Sequence, residues 1–148
     1  MILFFPDLNV WLALSDAGHA HSSAAWNWLR LLPDDHKLIF SRFTHIGLLR
    51  LLTNSALMGD KTLTLGKAWE IYDRWVQDPH VDFYPEPRAV EAAFRHATAP
   101  FAAQPASKWI GDGWILAFAK EVQATLVTFD RGLHDLSRKQ GHSAVIPA

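Results

Sequence analysis

The stretch DGWILAFAKEVQATLVTFD, which runs from Asp112 to Asp130, places a helical pattern directly before a short apolar strand. Apolar residues recur at i, i+3, i+4 and i+7 along Asp112–Val122, which predicts a helix. Thr125–Thr128 is apolar and β-branched, which predicts a buried strand. A helix that leads into a strand in this way is the repeating unit of folds with a parallel sheet.

The same alternation extends over the whole chain. Further strands are predicted at Ile2–Phe5, Leu38–Ser41, Val81–Tyr84 and Ala144–Ile146. Further helices are predicted at Asn9–Ser15, His19–Leu32, Thr44–Leu57 with Thr44 as its cap, Thr64–Gln77 and Pro87–Ala97. Strands that alternate with helices need crossover connections, so we predict an α/β fold with a mostly parallel sheet of about five strands and helices on both faces. Residues 1–148 are expected to form a single domain, in which Thr98–Ser107 is a flexible loop beside the site.

Composition limits the functions that this fold can serve. The net charge of the 148-residue chain is −1 with His neutral, and cysteine is absent. Contact with nucleic acid would therefore need a local basic patch, or a metal ion that reverses the sign of an acidic site. The absence of cysteine excludes disulfides, zinc–thiolate sites and thiol nucleophiles. We see no signal peptide and no apolar run of the ~20 residues that a membrane span needs, so we expect a cytoplasmic protein.

Three carboxylates fall where α/β sheets bind their ligands, at the C-terminal ends of the strands. Asp7 follows the first strand, Asp130 follows the fourth, and Asp112 opens the helix that leads into the fourth strand. Each one alone has an ordinary explanation as a cap or turn residue. Together they predict a site for Mg²⁺ or Mn²⁺, which prefer oxygen ligands, and hence in-line hydrolysis of a phosphate ester. The residues alone leave the choice between this site and three structural aspartates open.

Three segments resemble the motifs of the PIN-domain family. The first strand is followed by D-x-N-[VI], matched by Asp7–Val10. A later D-x-x-[LI]-x-A-x-A segment is matched by Asp112–Ala119, and a strand of the form [LV]-[LV]-T-x-D is matched by LVTFD, which ends at Asp130. Their order and separation also match, over nearly the whole chain. The resemblance implies a three-layer α/β/α domain.

Length and motifs look most like the VapC toxins of bacterial toxin–antitoxin pairs. That resemblance implies an endoribonuclease that cleaves structured RNA, tRNA or rRNA, through a water activated by Mg²⁺ or Mn²⁺. It also implies that Asp7, Asp112 and Asp130 are the catalytic metal ligands. A homodimer and a VapB-like antitoxin are the partners that it implies.

The sequence departs from this family at one position. Most members carry a glutamate near the start of the helix that follows the second strand, where this chain has Gly47, and no acid lies between Lys37 and Met58. Additional waters could replace the missing ligand, which is the explanation that we favour, or Thr44 or His45 could act through a water. In a third explanation metal binding is weakened. The chain would then be a non-catalytic PIN-like module that binds RNA or protein.

Other polar residues are secondary candidates for the site. Asn9 is expected to orient an aspartate or to cap a helix, and Thr128 to face the crevice. Arg42, Arg50 and Arg131 are candidates for phosphate binding, with solvated surface positions as the alternative. A phosphatase of the haloacid dehalogenase kind is disfavoured, because it needs a second aspartate where Asn9 stands.

Overall fold

The computed structural model describes all residues, 1–148, and contains one five-stranded sheet. Its strands are β1 (Ile2–Pro6), β2 (His36–Phe40), β3 (Val81–Phe83), β4 (Thr125–Val127) and β5 (Ala144–Val145). Their order across the sheet is β3-β2-β1-β4-β5, and every neighbouring pair is parallel. The predicted α/β fold is confirmed, with a wholly parallel sheet.

Eight α-helices surround the sheet. They are α1 (Leu8–Ser15), α2 (Ser22–Arg30), α3 (Arg42–Leu52), α4 (Ser55–Met58), α5 (Leu65–Gln77), α6 (Val90–Thr98), α7 (Ser107–Glu121) and α8 (Arg131–Lys139). Single 3₁₀ turns follow α4 and α6, at Gly59–Lys61 and Ala99–Phe101. None of the helices combines the length and the apolar character that crossing a membrane requires.

Side chains that alternate along the strands supply two separate cores. Leu38 and Phe40 of β2 belong to the core that also contains α1, α2, α3 and α5, whereas Ile39 belongs to the core formed with α6, α7 and α8. Successive strand residues point to opposite faces, so a sheet that is apolar on both faces must be covered on both. Trp11 of α1 stacks on Phe40 with ring centroids 3.8 Å apart. The result is a three-layer α/β/α domain.

The chain reverses its direction of travel across the sheet at β1. It adds β2 and then β3 on one side of β1, and it returns to add β4 and then β5 on the other side. The connections that leave β1 and β4 therefore diverge, and a crevice opens between them at the C-terminal edge of the sheet. Asp7 and Asp130 begin these two connections.

The prediction that Asp112 opens its helix is wrong. Helix α7 begins at Ser107, so Asp112 lies within the helix. Local propensity disfavours helix here because of Gly111 and Gly113, but tertiary packing outweighs it. A Cβ at Gly113 would lie 2.5 Å from Thr98 Cγ2, so the glycine lets α6 approach α7 closely. The predicted loop Thr98–Ser107 is likewise partly ordered, with a 3₁₀ turn at Ala99–Phe101.

Three other helix boundaries also differ from those predicted. Helix α3 is capped by Ser41, and Thr44 is the third residue of the helix in a reciprocal capping box rather than the cap. The predicted helix Thr44–Leu57 is divided, because the side chain of Asn54 accepts hydrogen bonds from the backbone of the next turn and starts α4. Helix α2 begins at Ser22, since His19 lies in the preceding turn.

Candidate metal centre

Asp7 lies at the C-terminal end of the central strand and caps α1. Its Oδ1 accepts a hydrogen bond from Leu8 N at 2.7 Å, and its Oδ2 accepts one from the Thr128 hydroxyl at 2.9 Å. The side chain is buried, and this burial raises the pKa of Asp7 above its usual value. The two hydrogen bonds oppose that rise, whereas the charge of Asp130 adds to it. Asp7 is therefore a buried acid whose two carboxyl oxygens each accept a directed hydrogen bond.

Asp130 caps α8 on the other side of the crevice. Its Oδ1 accepts hydrogen bonds from Gly132 N at 2.8 Å and from Leu133 N at 3.2 Å. These amides belong to the first turn of the helix, where backbone N–H groups have no partner within the helix. Both bonds use Oδ1, so Oδ2 remains available to a ligand.

Thr128 connects these two aspartates. It is fully buried at the end of β4, and its hydroxyl donates to Asp7 while accepting from the backbone N–H of Asp130 at 3.0 Å. A single side chain thus fixes the carboxylate of one strand end and the backbone of the other. The structure places Thr128 at the crevice beside both acids, where the sequence predicted it to face.

Asp112 reaches the same crevice from within α7. Its side chain makes no hydrogen bond and no ion pair. Burial, followed by the charges of Asp7 and Asp130, raises the pKa of Asp112 to about 6, and Lys108 acts in the opposite direction. Carboxylates influence one another in this way only when they are neighbours in a poorly solvated place. The structure therefore brings the three predicted aspartates into one electrostatic cluster.

The chemistry of this cluster fits a hydrated divalent cation. Its donors are carboxylate oxygens, the ligands that Mg²⁺ and Mn²⁺ prefer, and the repulsion among them would be relieved by a positive ion. No group of three or more His, Cys, Asp or Glu side chains lies close enough together in this structure to hold a metal ion directly. The arrangement suits an ion that retains several waters better than one that needs a closed set of protein ligands.

Gly47 lies where the family resemblance leads one to expect a glutamate, and the side chain of Leu8 occupies the space that a side chain would need there. A Cβ at Gly47 would lie 2.9 Å from Leu8 Cδ1 and 3.1 Å from Leu8 Cγ. Leu8 immediately follows Asp7 and fills the space next to α3. A fourth acid at position 47 would therefore require Leu8 to move.

Thr44 and His45 both have partners of their own. The Thr44 hydroxyl accepts from Ser41 N at 3.0 Å within the capping box. His45 Nδ1 accepts from Arg42 Nη1 at 2.9 Å, and its ring stacks on Tyr72 with centroids 3.8 Å apart. Burial and the charge of Arg42 lower the pKa of His45, which favours its neutral imidazole. A role for either residue in replacing the glutamate stays a prediction.

The remaining candidates are exposed, and among them Asn9 and Arg131 lie within two residues of a site aspartate. Asn9 is exposed on α1, and the cap of that helix is Asp7. Arg131 is exposed directly after Asp130, and Arg50 is exposed in the last turn of α3. Lys108, which lowers the pKa of Asp112, was not predicted. The sequence feature that could have indicated Lys108 is its four-residue spacing to Asp112. This spacing places the two side chains on one helix face only if the helix begins at Ser107.

Comparison with known sequences gives two matches that cover most of the chain. The family profile of the PIN domain matches residues 4–139. Ribonuclease VapC41 of Mycobacterium tuberculosis is 36% identical over 130 residues, which span 84% of this chain and 86% of that protein.

Comparison with solved structures shows the same fold at low sequence identity. VapBC2 from Rickettsia felis, bound to a DNA fragment from its promoter, has a TM-score of 0.73 at 13% identity and covers 99% of this chain and 100% of its own. VapC20 of Mycobacterium tuberculosis, a toxin that cleaves the sarcin–ricin loop, has a TM-score of 0.62 at 16% identity and covers 89% of this chain and 93% of its own.

Proposed function

Because the chain belongs to the PIN domain family, we propose that it is a metal-dependent endoribonuclease of the VapC toxin kind, acting on structured RNA in the cytoplasm. The observation that carries the proposal is the electrostatic cluster of Asp7, Asp112 and Asp130 at the point where the sheet reverses direction. Structural aspartates are expected to sit apart, each with its own partners. Asp112 has no such partner and is held near two other carboxylates.

The proposed metal is Mg²⁺ or Mn²⁺, held by Asp7, Asp112 and Asp130. Such an ion supplies Lewis-acid chemistry: it makes a water nucleophilic, orients the phosphodiester and stabilises the leaving oxygen. The chain contributes rigidity, since Asp7 and Asp130 are fixed by helix caps and by Thr128. It also contributes positive charge, because Lys108 and Arg131 lie beside the carboxylates and can contact phosphate oxygens.

The first test is cleavage of total tRNA in the presence of Mg²⁺, Mn²⁺ or EDTA. We expect discrete fragments that require the metal and disappear in Asp7→Ala and Asp112→Asn. Asp112→Asn is the sharper variant, because Asp112 caps no helix and its loss is expected to leave the fold intact. Glu121→Gln is the matched control, since Glu121 is an exposed acid at the opposite end of α7. Full cleavage activity in Asp112→Asn would contradict the proposed site.

A second candidate function is supported by the contact between Leu8 and Gly47. Because Leu8 closes the position where the family carries a glutamate, the chain could be a PIN-like module that binds RNA or protein without cleaving it. Titration calorimetry with Mn²⁺ separates the two candidates. Metal binding that Asp112→Asn abolishes favours the nuclease, whereas RNA binding without metal binding or cleavage favours the module.

The proposed assembly is a homodimer that binds a VapB-like antitoxin. Its support is the fold shared with a solved VapBC assembly and the sequence identity with a VapC protein. Light scattering on the purified chain measures the oligomeric state directly. A monomer at all accessible concentrations would contradict the dimer.

A further inference from the structure

Arg42 and Trp69 form a surface that the proposed metal centre does not use, which we call the Arg42–Trp69 surface. Arg42 is the first residue of α3, and Trp69 lies near the start of α5. Both side chains contact His45, which is buried between them. One buried imidazole therefore contacts both a guanidinium and an indole.

The guanidinium of Arg42 is held in place but is not neutralised. Its Nη1 donates to His45 Nδ1 at 2.9 Å, and its Cζ lies 4.3 Å from the ring centroid of Phe83. No carboxylate pairs with it, and the residue is exposed. A preorganised arginine keeps most of its donors free and loses little conformational entropy when it binds an anion.

Trp69 offers an aromatic surface beside this charge. Trp69 is 42% exposed although its side chain is large and apolar. The indole ring packs edge-on against the ring of His45, with centroids 5.0 Å apart, and the ring of Tyr72 stacks on that of His45. A partly exposed, rigidly held indole is the kind of group on which a nucleobase stacks.

Polar groups around the surface do not cancel its charge. Because Arg42 always donates, His45 accepts at Nδ1 and carries its hydrogen on Nε2, a buried atom that has no partner. The pKa of His45 is lowered by burial and by the charge of Arg42, which disfavours a second positive charge on the ring. Asp73, one turn after Trp69, is the nearby acid, and it is exposed without pairing with Arg42.

The surface lies along the same edge of the sheet as the carboxylates. Helix α3 starts directly after β2, at the C-terminal edge, and Trp69 of α5 packs against His45 near the start of α3. Phe83 belongs to β3, which lies two strand positions from β1. At 4.7–4.9 Å per strand, the separation from the end of β1 is about 10 Å. A strand of RNA crosses that distance in a few nucleotides.

We propose that the Arg42–Trp69 surface is a subsite for a nucleotide of the RNA substrate away from the cleaved bond. Arg42 binds a backbone phosphate, and Trp69 stacks on an unpaired base. The subsite rests on the proposed function, because it takes RNA to be the substrate. It selects for single-stranded segments within structured RNA, because a paired base is not free to stack on Trp69.

The test is fluorescence anisotropy of a short labelled single-stranded RNA in EDTA, where cleavage cannot occur. We expect Arg42→Gln to weaken binding about tenfold and to reduce the slope of log Kd against log salt concentration by about 0.7, the contribution of one phosphate contact. Arg42→Lys should restore the slope. Trp69→Ala should weaken binding about tenfold without changing the slope, and Trp69→Phe should recover most of the affinity.

Arg138→Gln is the matched control, because Arg138 is an exposed arginine in the last turn of α8, at the far end of the helix that Asp130 caps. Unchanged melting temperatures confirm that the variants fold. The inference is overturned if Arg42→Gln binds RNA like Arg138→Gln, or if the wild-type chain binds no RNA. It is also overturned if Arg42→Gln and Trp69→Ala alter the oligomeric state but not RNA affinity, since the surface is then a subunit interface.

Cleavage of tRNA with Mn²⁺ separates this inference from the proposed function. A wild-type chain that cleaves, with Arg42→Gln unchanged in both Kd and KM, overturns the subsite alone. A wild-type chain that binds RNA through Arg42 but never cleaves it overturns the nuclease and leaves the subsite standing.

Discussion

Thr128 and Asp7, 121 positions apart in the chain, are joined by a buried hydrogen bond of 2.9 Å across the neighbouring strands β4 and β1. The same hydroxyl also accepts a hydrogen bond from the backbone of Asp130 at 3.0 Å. The candidate site and the centre of the sheet are therefore built on one threonine, and changes at this residue should affect both.

Thr128→Val should destabilise the protein. The substitution preserves the shape of the side chain but leaves Asp7 Oδ2 and the Asp130 amide without their partner, at a cost of about 1–3 kcal/mol. The loss of a bond that favours the charged form should also raise the pKa of Asp7 further. Urea unfolding in EDTA measures the first effect, and Thr128→Ser should recover most of it. An unchanged unfolding midpoint in Thr128→Val would show that the hydrogen bond contributes nothing to stability.

The free energy of unfolding of the metal-free protein should depend on pH because of Asp112. Its pKa is raised from 3.8 to about 6, so the folded state binds a proton more tightly than the unfolded state. The free energy of unfolding therefore falls as pH rises between these two values and stays lower above pH 6. Partial solvent exposure reduces the effect to about 1–2 kcal/mol.

Asp112→Asn should remove this pH-dependent loss and stabilise the metal-free protein at pH 7.5. Three histidines with lowered pKa, His19, His45 and His142, shift stability in the opposite direction over an overlapping range. The informative quantity is therefore the difference between wild type and variant, measured by urea unfolding at pH 4 and pH 7.5. An equal difference at the two pH values would contradict the prediction.

Mg²⁺ or Mn²⁺ should stabilise the folded chain at neutral pH. An ion that binds only the folded state adds about 2.7 kcal/mol at a concentration one hundred times its Kd. Thermal unfolding should show an upward shift that is reduced in Asp112→Asn and in Asp130→Asn. Glu121→Gln should shift as wild type does. A similar shift in all of these proteins would indicate non-specific ion binding.

Gly47→Glu should be tolerated only when Leu8 is made smaller. In the wild-type background the new side chain overlaps Leu8, which should cost about 1–3 kcal/mol of stability. Combined with Leu8→Ala, the glutamate has space, so the two changes should be non-additive and the double variant should bind Mn²⁺ more tightly than wild type. Urea unfolding and titration calorimetry of the four proteins test both effects. Additive stabilities would mean that Leu8 and Gly47 are not coupled.

The sequence predicts most of the fold because the strands are apolar on both faces and the helices carry clear stripes. It also places Asp7, Thr128 and Asp130 correctly, since the end of a strand is visible as the end of an apolar run. Local patterns fail where distant parts of the chain decide the outcome. Helix α7 extends through Gly111 and Gly113 because α6 packs against it, which no window of the sequence reveals.

The surroundings of the site are harder to predict for the same reason. The effect of Lys108 on Asp112 depends on a helix start that the sequence pattern missed. The contact that excludes a side chain at Gly47 joins residues from two helices, and nothing in either segment alone indicates it. Arg42 and Trp69 belong to one surface because His45, which Arg42 contacts from α3, packs against α5.

The three aspartates contribute differently to the stability of the fold. This difference predicts which of them would be replaced first if the domain lost its catalytic activity. Asp7 and Asp130 cap the N-termini of α1 and α8 with their Oδ1 atoms, so selection for a stable fold would retain them long after catalytic activity had been lost. Asp112 does not stabilise the fold, and its raised pKa reflects an unfavourable environment for its charge. It would therefore be among the first residues to be replaced. In a descendant of this chain, the residue at position 112 would therefore report on enzymatic activity more faithfully than either of the two aspartates at the strand ends.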